Sequence, residues 1–299
     1  MWTHMSAEHT NSSPPMKRPV RQSRAAPRGV ARLALVDAIR SLWARRALLA
    51  EMTRREFGER YGGHALGLIW VGLQPILTAS CYVLVFGYVF QSRVAIARPN
   101  ADSMVVYLLA GLSVWFAASD IFGRASTAVS GTPGFVKQMV FPLEVLPARL
   151  VGPAFATQMF VTLVMIGYGI SIGYPFTAMW LLWPAVVLVQ FTTILGIGYL
   201  IAGVGVFFRD IRDIVALYLT IGLFLSPILY QLDNVPALLA TAAYCNPMTP
   251  ILLVMQDVAI HGSITSPLAW IAAPIIALAA LHFGFRTFQN LRPMMGDVL

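Results

Sequence analysis

Six stretches of the chain are long, apolar and almost free of charge, and polar segments separate them. From Ala65 to Phe90 no residue is charged. At ~1.5 Å per residue, such a run crosses a hydrocarbon core about 30 Å thick with tilt to spare. Similar runs cover about 104–129, 148–172, 177–207, 214–230 and 267–285, and the pattern predicts six transmembrane helices. Three further stretches are helix-sized but too polar to span. In 31–61, Val36, Ile39, Trp43 and Ala47 recur at helical spacing with Arg40, Arg45 and Arg46 between them, as in a basic amphipathic helix lying on a membrane surface. In 131–143, Pro133, Pro142, Gly131 and Gly134 bound a short helix with Phe135, Met139 and Val140 on one face. In 231–266, Val235–Tyr244 and Ile251–Ile260 read as two short amphipathic helices dipping into the outer interface. The fold expected is therefore all-α integral membrane: six transmembrane helices, an N-terminal interface helix, a cytoplasmic coupling helix, and two short outer helices between spans five and six.

Composition agrees with this reading. The 299 residues are 58% hydrophobic and only 11% charged, against roughly 25% charged in soluble domains. The net charge of +8 sits mainly at one end, where residues 1–64 hold twelve Lys and Arg and five acids. Beside so much membrane, headgroup attraction explains this better than nucleic acid, which is not expected as a partner. With six spans, those twelve lie on the same side as Arg124, Lys137, Arg149, Arg209, Arg212, Arg286 and Arg292, and only Arg93 and Arg98 lie on the other. The positive-inside rule then places both termini in the cytoplasm. Residues 1–30 read as a disordered basic tail, 31–290 as the transmembrane domain and 291–299 as a second cytoplasmic tail. Within the second span, Asp120 and Arg124 are one helical turn apart, so they can pair, or Arg124 can snorkel toward the cytosol.

The chemistry that is missing narrows the function. No glycine is followed by lysine, so there is no Walker A loop. The five histidines lack metal-ligand spacing, and two cysteines make no disulfide framework. The spans carry almost no ionisable groups, unlike those of an ion-driven transporter. A membrane machine without its own energy source points to a permease driven by a separate ATPase. That ATPase would be contacted through the central loop, the 207–213 loop and the N-terminal helix.

Four stretches carry a resemblance. They are Arg55-Glu56-Phe57 with Arg60-Tyr61, Leu66-Gly67, Trp70 and Gln74-Pro75; Val136-Lys137 with Phe141-Pro142-Leu143-Glu144-Val145-Leu146-Pro147; Phe208-Arg209-Asp210-Ile211 leading to Ser226-Pro227-Ile228 and Tyr230; and Asn246-Pro247. In this order and spacing, the chain from about residue 45 resembles ABC-2-type permeases of the polysaccharide-export branch, which export O-antigen, capsular polysaccharide and teichoic acid. The resemblance implies a homodimer with two copies of a nucleotide-binding subunit, in the bacterial inner membrane. No cofactor is then bound by this chain, and ATP and Mg are used by the partner. It implies coupling to the ATPase through Phe135, Lys137, Phe141, Pro142, Glu144, Arg209 and Asp210. Arg54, Arg55, Phe57, Arg60 and Tyr61 would form a gate-like element at the inner interface, where a lipid-linked polysaccharide arrives among membrane lipids. The two short helices would narrow the outer mouth.

Sugar rings present apolar C–H faces that pack on aromatic rings, and Tyr82, Phe86, Tyr88, Phe116 and Tyr230 are candidates to line the glycan path. Interfacial belts and ordinary packing use the same residue types. Two other functions compete. One is an ABC-2 permease for a lipid or drug. The other is a polytopic membrane enzyme modifying glycans, for which His64 and His282 are the only suitably placed groups and have no evident partner.

Overall fold

The computed structural model describes residues 34–62, 67–89, 104–131, 141–232 and 235–298, all within one compact unit, Arg32–Leu299. Among the described residues there are helices and no strands. Two helices, α1 (Ala34–Ala44) and α2 (Arg46–Tyr61), meet at a bend at Arg45. Ala38 of α1 is buried, with Leu35 and Leu42 packed beside it, while Val36, Ile39 and Trp43 are exposed on the other face. Helix α2 is more polar and turns Met52, Glu56 and Tyr61 inward. It lies close against the start of a spanning helix, because a side chain at Gly152 would meet Thr53 Cγ2 at 2.3 Å.

The spans follow. Helix α3 (Trp70–Tyr82) continues in wider turns over Val83–Val89. Helix α4 is Met104–Ala125. One turn, α5 (Val145–Ala148), leads into α6 (Val151–Ser171). Helix α7 (Trp183–Gly205) is preceded by a tighter turn over Ala178–Leu182. Helix α8 is Ile211–Leu225, two short helices are α9 (Ala237–Tyr244) and α10 (Thr249–Gln256), and the long α11 is Pro267–Val298. Five of these stretches are long and apolar enough to cross a membrane, or six if the bent pair Ala237–Tyr244 and Thr249–His261 counts as one.

Helix α4 forms the centre: 78% of its apolar stretch is buried, against 17% for Trp70–Gly87. Small residues and amides set the packing around it. Helices α7 and α11 touch backbone to backbone, since a Cβ at Gly284 would lie 1.9 Å from the Gly196 carbonyl oxygen and one at Gly196 would lie 2.3 Å from the Ala280 carbonyl carbon. Small residues let membrane helices approach this closely. Between α6 and α7, the buried Gln158 and Gln190 amides donate to each other at 2.9 Å in both directions.

The expected architecture needs two corrections. The fifth span, expected at 214–230, is helical only over Ile211–Leu225. Its 15 residues rise only about 22 Å, short of the core thickness, and the helix stops at the extended Ser226. The second of the two short outer helices is not an amphipathic interfacial helix. Thr249, Ile251, Leu252, Val254, Met255 and Gln256 are all buried, so its sides face protein. The stretch expected as a second cytoplasmic tail, 291–299, continues α11 as helix to Val298. The expected coupling helix in 131–143 lies largely outside the described residues.

Candidate functional site

The end of the bundle that carries α1 and α2 is rich in arginine and cross-braced by ions. Glu56 of α2 is buried, and its two oxygens lie 3.2 Å from Arg124 Nη1 and 3.1 Å from Arg149 Nε. Arg124 also reaches Asp120 at 3.1 Å, and Asp120 takes Arg60 at 2.5 Å. Arg60, Asp120, Arg124, Glu56 and Arg149 thus form one chain of alternating charge tying α2 to α4 and to the start of α6. A buried carboxylate is tolerated only when paired in this way. Asp120 and Arg124 do pair, and they do so as the middle of a larger network.

Above that network opens a cleft of about 300 Å³ between the end of α2 and helices α3, α4 and α6. Its walls include Arg60, Tyr61, Trp70, Gln74, Thr78, Phe116, Ser119, Asp120 and Thr157. Arg60 lies over the Tyr61 ring at 5.1 Å, and Phe57 sits beside Tyr61 with centroids 6.3 Å apart. Burial pushes the Tyr61 phenol above its ordinary value near 10, while Arg60 pulls it down. The phenol therefore stays a neutral hydrogen-bond donor at physiological pH. Aromatic faces, an amide, hydroxyls and one Arg–Asp pair in a single cleft suit a ligand with apolar faces and polar edges.

The structure places three of the candidate residues, Arg60, Tyr61 and Phe116, on this cleft. Arg54 and Arg55 are exposed on α2, with Arg55 paired to Glu51 at 3.2 Å. Tyr82 and Phe86 stack on each other 6.4 Å apart further along α3. Tyr230 lies after the break in α8 and donates to the Leu225 carbonyl at 2.9 Å. Of the aromatics expected along the path, Phe116 lines this cleft. Phe135, Lys137 and the Tyr88 side chain lie outside the described residues. Phe208, Arg209 and Asp210 stand exposed in the loop between α7 and α8. They are on the arginine-rich end, as a side chain at Gly205 would touch the Ser126 backbone at 2.8 Å. Glu144 is not presented outward. It is 2% exposed and ion-paired to Arg45 and Arg292.

Thr78, Ser119 and Thr157 carry no site signal in the sequence, and Gln74 enters there only through the resemblance. In sequence they are isolated polar positions in apolar spans, and only the fold brings them to one wall. Asp257, a charge of the 231–266 segment, carries no site signal in the sequence either. Buried at the opposite end of the bundle, its carboxylate accepts from Trp270 Nε1 at 2.9 Å, from the Thr265 and Ser266 amides at 3.1 and 3.3 Å, and from the Thr265 hydroxyl. Nearby, Asn246 donates to Ser226 Oγ at 2.9 Å and accepts from Tyr218 OH at 2.9 Å. Tyr107 OH donates to the Pro227 and Tyr230 carbonyls at 2.9 and 2.6 Å. The Pro227 and Tyr230 carbonyls of the non-helical Ser226–Tyr230 backbone thus find donors in the protein, as irregular chain inside a membrane protein requires.

A family model for ABC-2 type transporters matches residues 47–259. An O-antigen export system permease protein of Myxococcus xanthus is 30% identical over 249 residues, 83% of this chain and 91% of the relative. A protein of the same description from Klebsiella pneumoniae is 25% identical over 73% of this chain and 82% of its own length. A polysialic acid transport protein of Escherichia coli is 23% identical over 81% and 92%. The match takes in α2, the cleft, both ion-pair positions Glu56 and Glu144, and the broken fifth helix with its two short successors. With five or six membrane-crossing helices and this match, the chain is a multi-pass membrane protein that belongs to the ABC-2 type transporter family.

Proposed function

We propose that the chain is the membrane permease of an ATP-driven exporter that moves a lipid-linked polysaccharide out of the cytoplasm. The observation that carries this reading is the family match, together with relatives that share nearly their whole length with this chain and are named for O-antigen export or polysialic acid transport. The cleft adds support, because its rings, amide, hydroxyls and Arg–Asp pair have the chemistry of a sugar site. In this reading the protein sits in the bacterial inner membrane with both termini cytoplasmic, following its arginines. It works as a homodimer with two nucleotide-binding subunits, which hold the ATP and Mg. The exposed 208–210 loop and the 131–147 segment, including Phe135 and Lys137, meet those subunits. The interface helix with Arg54, Arg55 and Phe57 borders the cleft where the substrate arrives.

The test is co-purification with the separately encoded ATPase subunit, followed by ATP hydrolysis with and without lipid-linked glycan. A stable complex whose hydrolysis responds to glycan is expected. A complex that ignores glycan would instead favour an ABC-2 permease for a lipid or drug. That second reading has one observation behind it, an apolar cavity of about 420 Å³ between α3, α4 and α6 lined by Ile76, Val83, Leu109, Val161 and Tyr168 among others. No ATPase partner at all would remove both readings.

A further inference from the structure

The cleft at the arginine-rich end continues into the apolar cavity along the same three helices. Gln74 and Thr78 of α3, Phe116 and Asp120 of α4, and Thr157 of α6 line the cleft. Farther from the arginines, Ile76 of α3, Leu84 in the wider turns after it, Leu109 of α4, and Val161 and Tyr168 of α6 line the cavity. All three walls therefore change from polar to apolar in one direction, from the arginine-rich end toward the middle of the bundle. Leu84 and Val164 line the cavity and are exposed. The cavity thus opens toward the outside of the bundle, where lipid chains lie.

Charge at the polar end is unbalanced. The network there joins three arginines, Arg60, Arg124 and Arg149, to two carboxylates, Glu56 and Asp120. Among the described residues it carries one positive charge in excess. Such a charge in a membrane bundle is costly unless compensated, and it marks a binding site by default. Arg60 is the arginine of the network that lines the cleft, and the Gln74 amide and the Thr78, Ser119 and Thr157 hydroxyls surround it there. An anion at Arg60 would bring the network to neutrality, and the amide and hydroxyls can donate to or accept from a head group that bears hydroxyls. Size defines the other end. An apolar cavity of ~150 Å³ can hold benzene, so about 420 Å³ takes roughly 17 carbons, the size of one fatty acyl chain.

We propose that cleft and cavity are one binding site for an anionic membrane phospholipid. Its phosphate sits at Arg60, one acyl chain fills the cavity between α3, α4 and α6, and the second chain stays in the bilayer. The head-to-tail direction is that of a lipid in the leaflet on the arginine-rich side. A zwitterionic lipid has no net charge and would leave the excess arginine uncompensated. The proposal concerns membrane lipid rather than cargo, and it stands apart from the reading of the chain as a polysaccharide permease.

The experiment titrates the delipidated full chain in detergent with phosphatidylglycerol and with phosphatidylcholine, and reads bound lipid by native mass spectrometry. Dipalmitoyl phosphatidylglycerol is expected to bind at least about fivefold tighter than the phosphatidylcholine of the same chains, the worth of one arginine at an anionic lipid. Arg60→Gln removes that preference, while Arg55→Gln, exposed on the same helix and paired to Glu51, keeps it. Val164→Trp fills the cavity from its open side and weakens both lipids by the same factor. In the wild-type chain, dihexanoyl phosphatidylglycerol binds more weakly than the dipalmitoyl form. Wild-type chain that binds the two head groups alike, or the two chain lengths alike, overturns the proposal, and neither reading depends on a variant that folds. A polyprenyl phosphate that outcompetes phosphatidylglycerol also overturns it and gives the site to a carrier lipid.

Discussion

The two ends of this helix bundle are fastened by different chemistry. At the arginine-rich end, Glu56, Asp120 and Glu144 are held by five arginines, several of them partly exposed. At the opposite end, Tyr107, Asn246, Ser226 and Tyr218 make neutral hydrogen bonds, and the buried Asp257 carboxylate accepts from Trp270, Thr265 and Ser266. Neutral bonds suit broken backbone that must be satisfied deep in a membrane, where bare charge is costly. Ion pairs suit an end that abuts water, where water and salt weaken and remake them. The difference makes the first end the better candidate for moving parts and the second the better candidate for a fixed frame.

Mutations can break or sharpen this contrast. The largest effect is expected for Glu56→Ala, which strands the buried Arg149, leaves Arg124 with Asp120 alone, and costs about 3–5 kcal/mol. Thermal unfolding in detergent reads it, and a loss below about 1 kcal/mol would mean the network carries little. Next is Asp257→Ala, which leaves the Trp270 indole and two amides unpaired and costs about 2–3 kcal/mol. In 1 M salt, where the Debye length is about 3 Å, the wild-type Glu56 network should loosen while the Asp257 clamp does not. Comparing the two variants with and without salt reads this, and equal salt sensitivity would erase the contrast. Asn246→Ala should cost about 1–2 kcal/mol by removing the acceptor of the Tyr218 hydroxyl and the Met248 amide, with faster proteolysis of 231–245 as its local sign. Glu51→Ala removes only the exposed pair with Arg55 and should change stability by less than about 0.5 kcal/mol.

The spans were legible because length and the lack of charge are one-dimensional signals. Runs such as 104–125 need no knowledge of neighbours. The broken fifth helix was not legible, because its Ser226 end is set by Tyr107 and Asn246, each remote in sequence. Likewise α10 looks amphipathic alone, yet it is buried because Gln256 and Asp257 find partners in the protein, Pro227 and Trp270 among them. Some residues that carry the resemblance lie together in the fold. Arg60, Tyr61, Trp70 and Gln74 meet on one cleft wall, and Ser226 meets Asn246 across 20 residues. What each residue does there depends on pairing: Glu144 reads as a surface contact in sequence, but its carboxylate is buried and paired to Arg45 and Arg292.

The most direct measurement is ATP-driven protection of a polymer. The chain and its ATPase subunit are placed in vesicles with the nucleotide-binding side outward, and lipid-linked polysaccharide is added outside with a glycan-degrading enzyme. The account predicts that the polymer becomes protected inside only when ATP and Mg are present. Polymer that stays fully degradable while ATP is hydrolysed would contradict it.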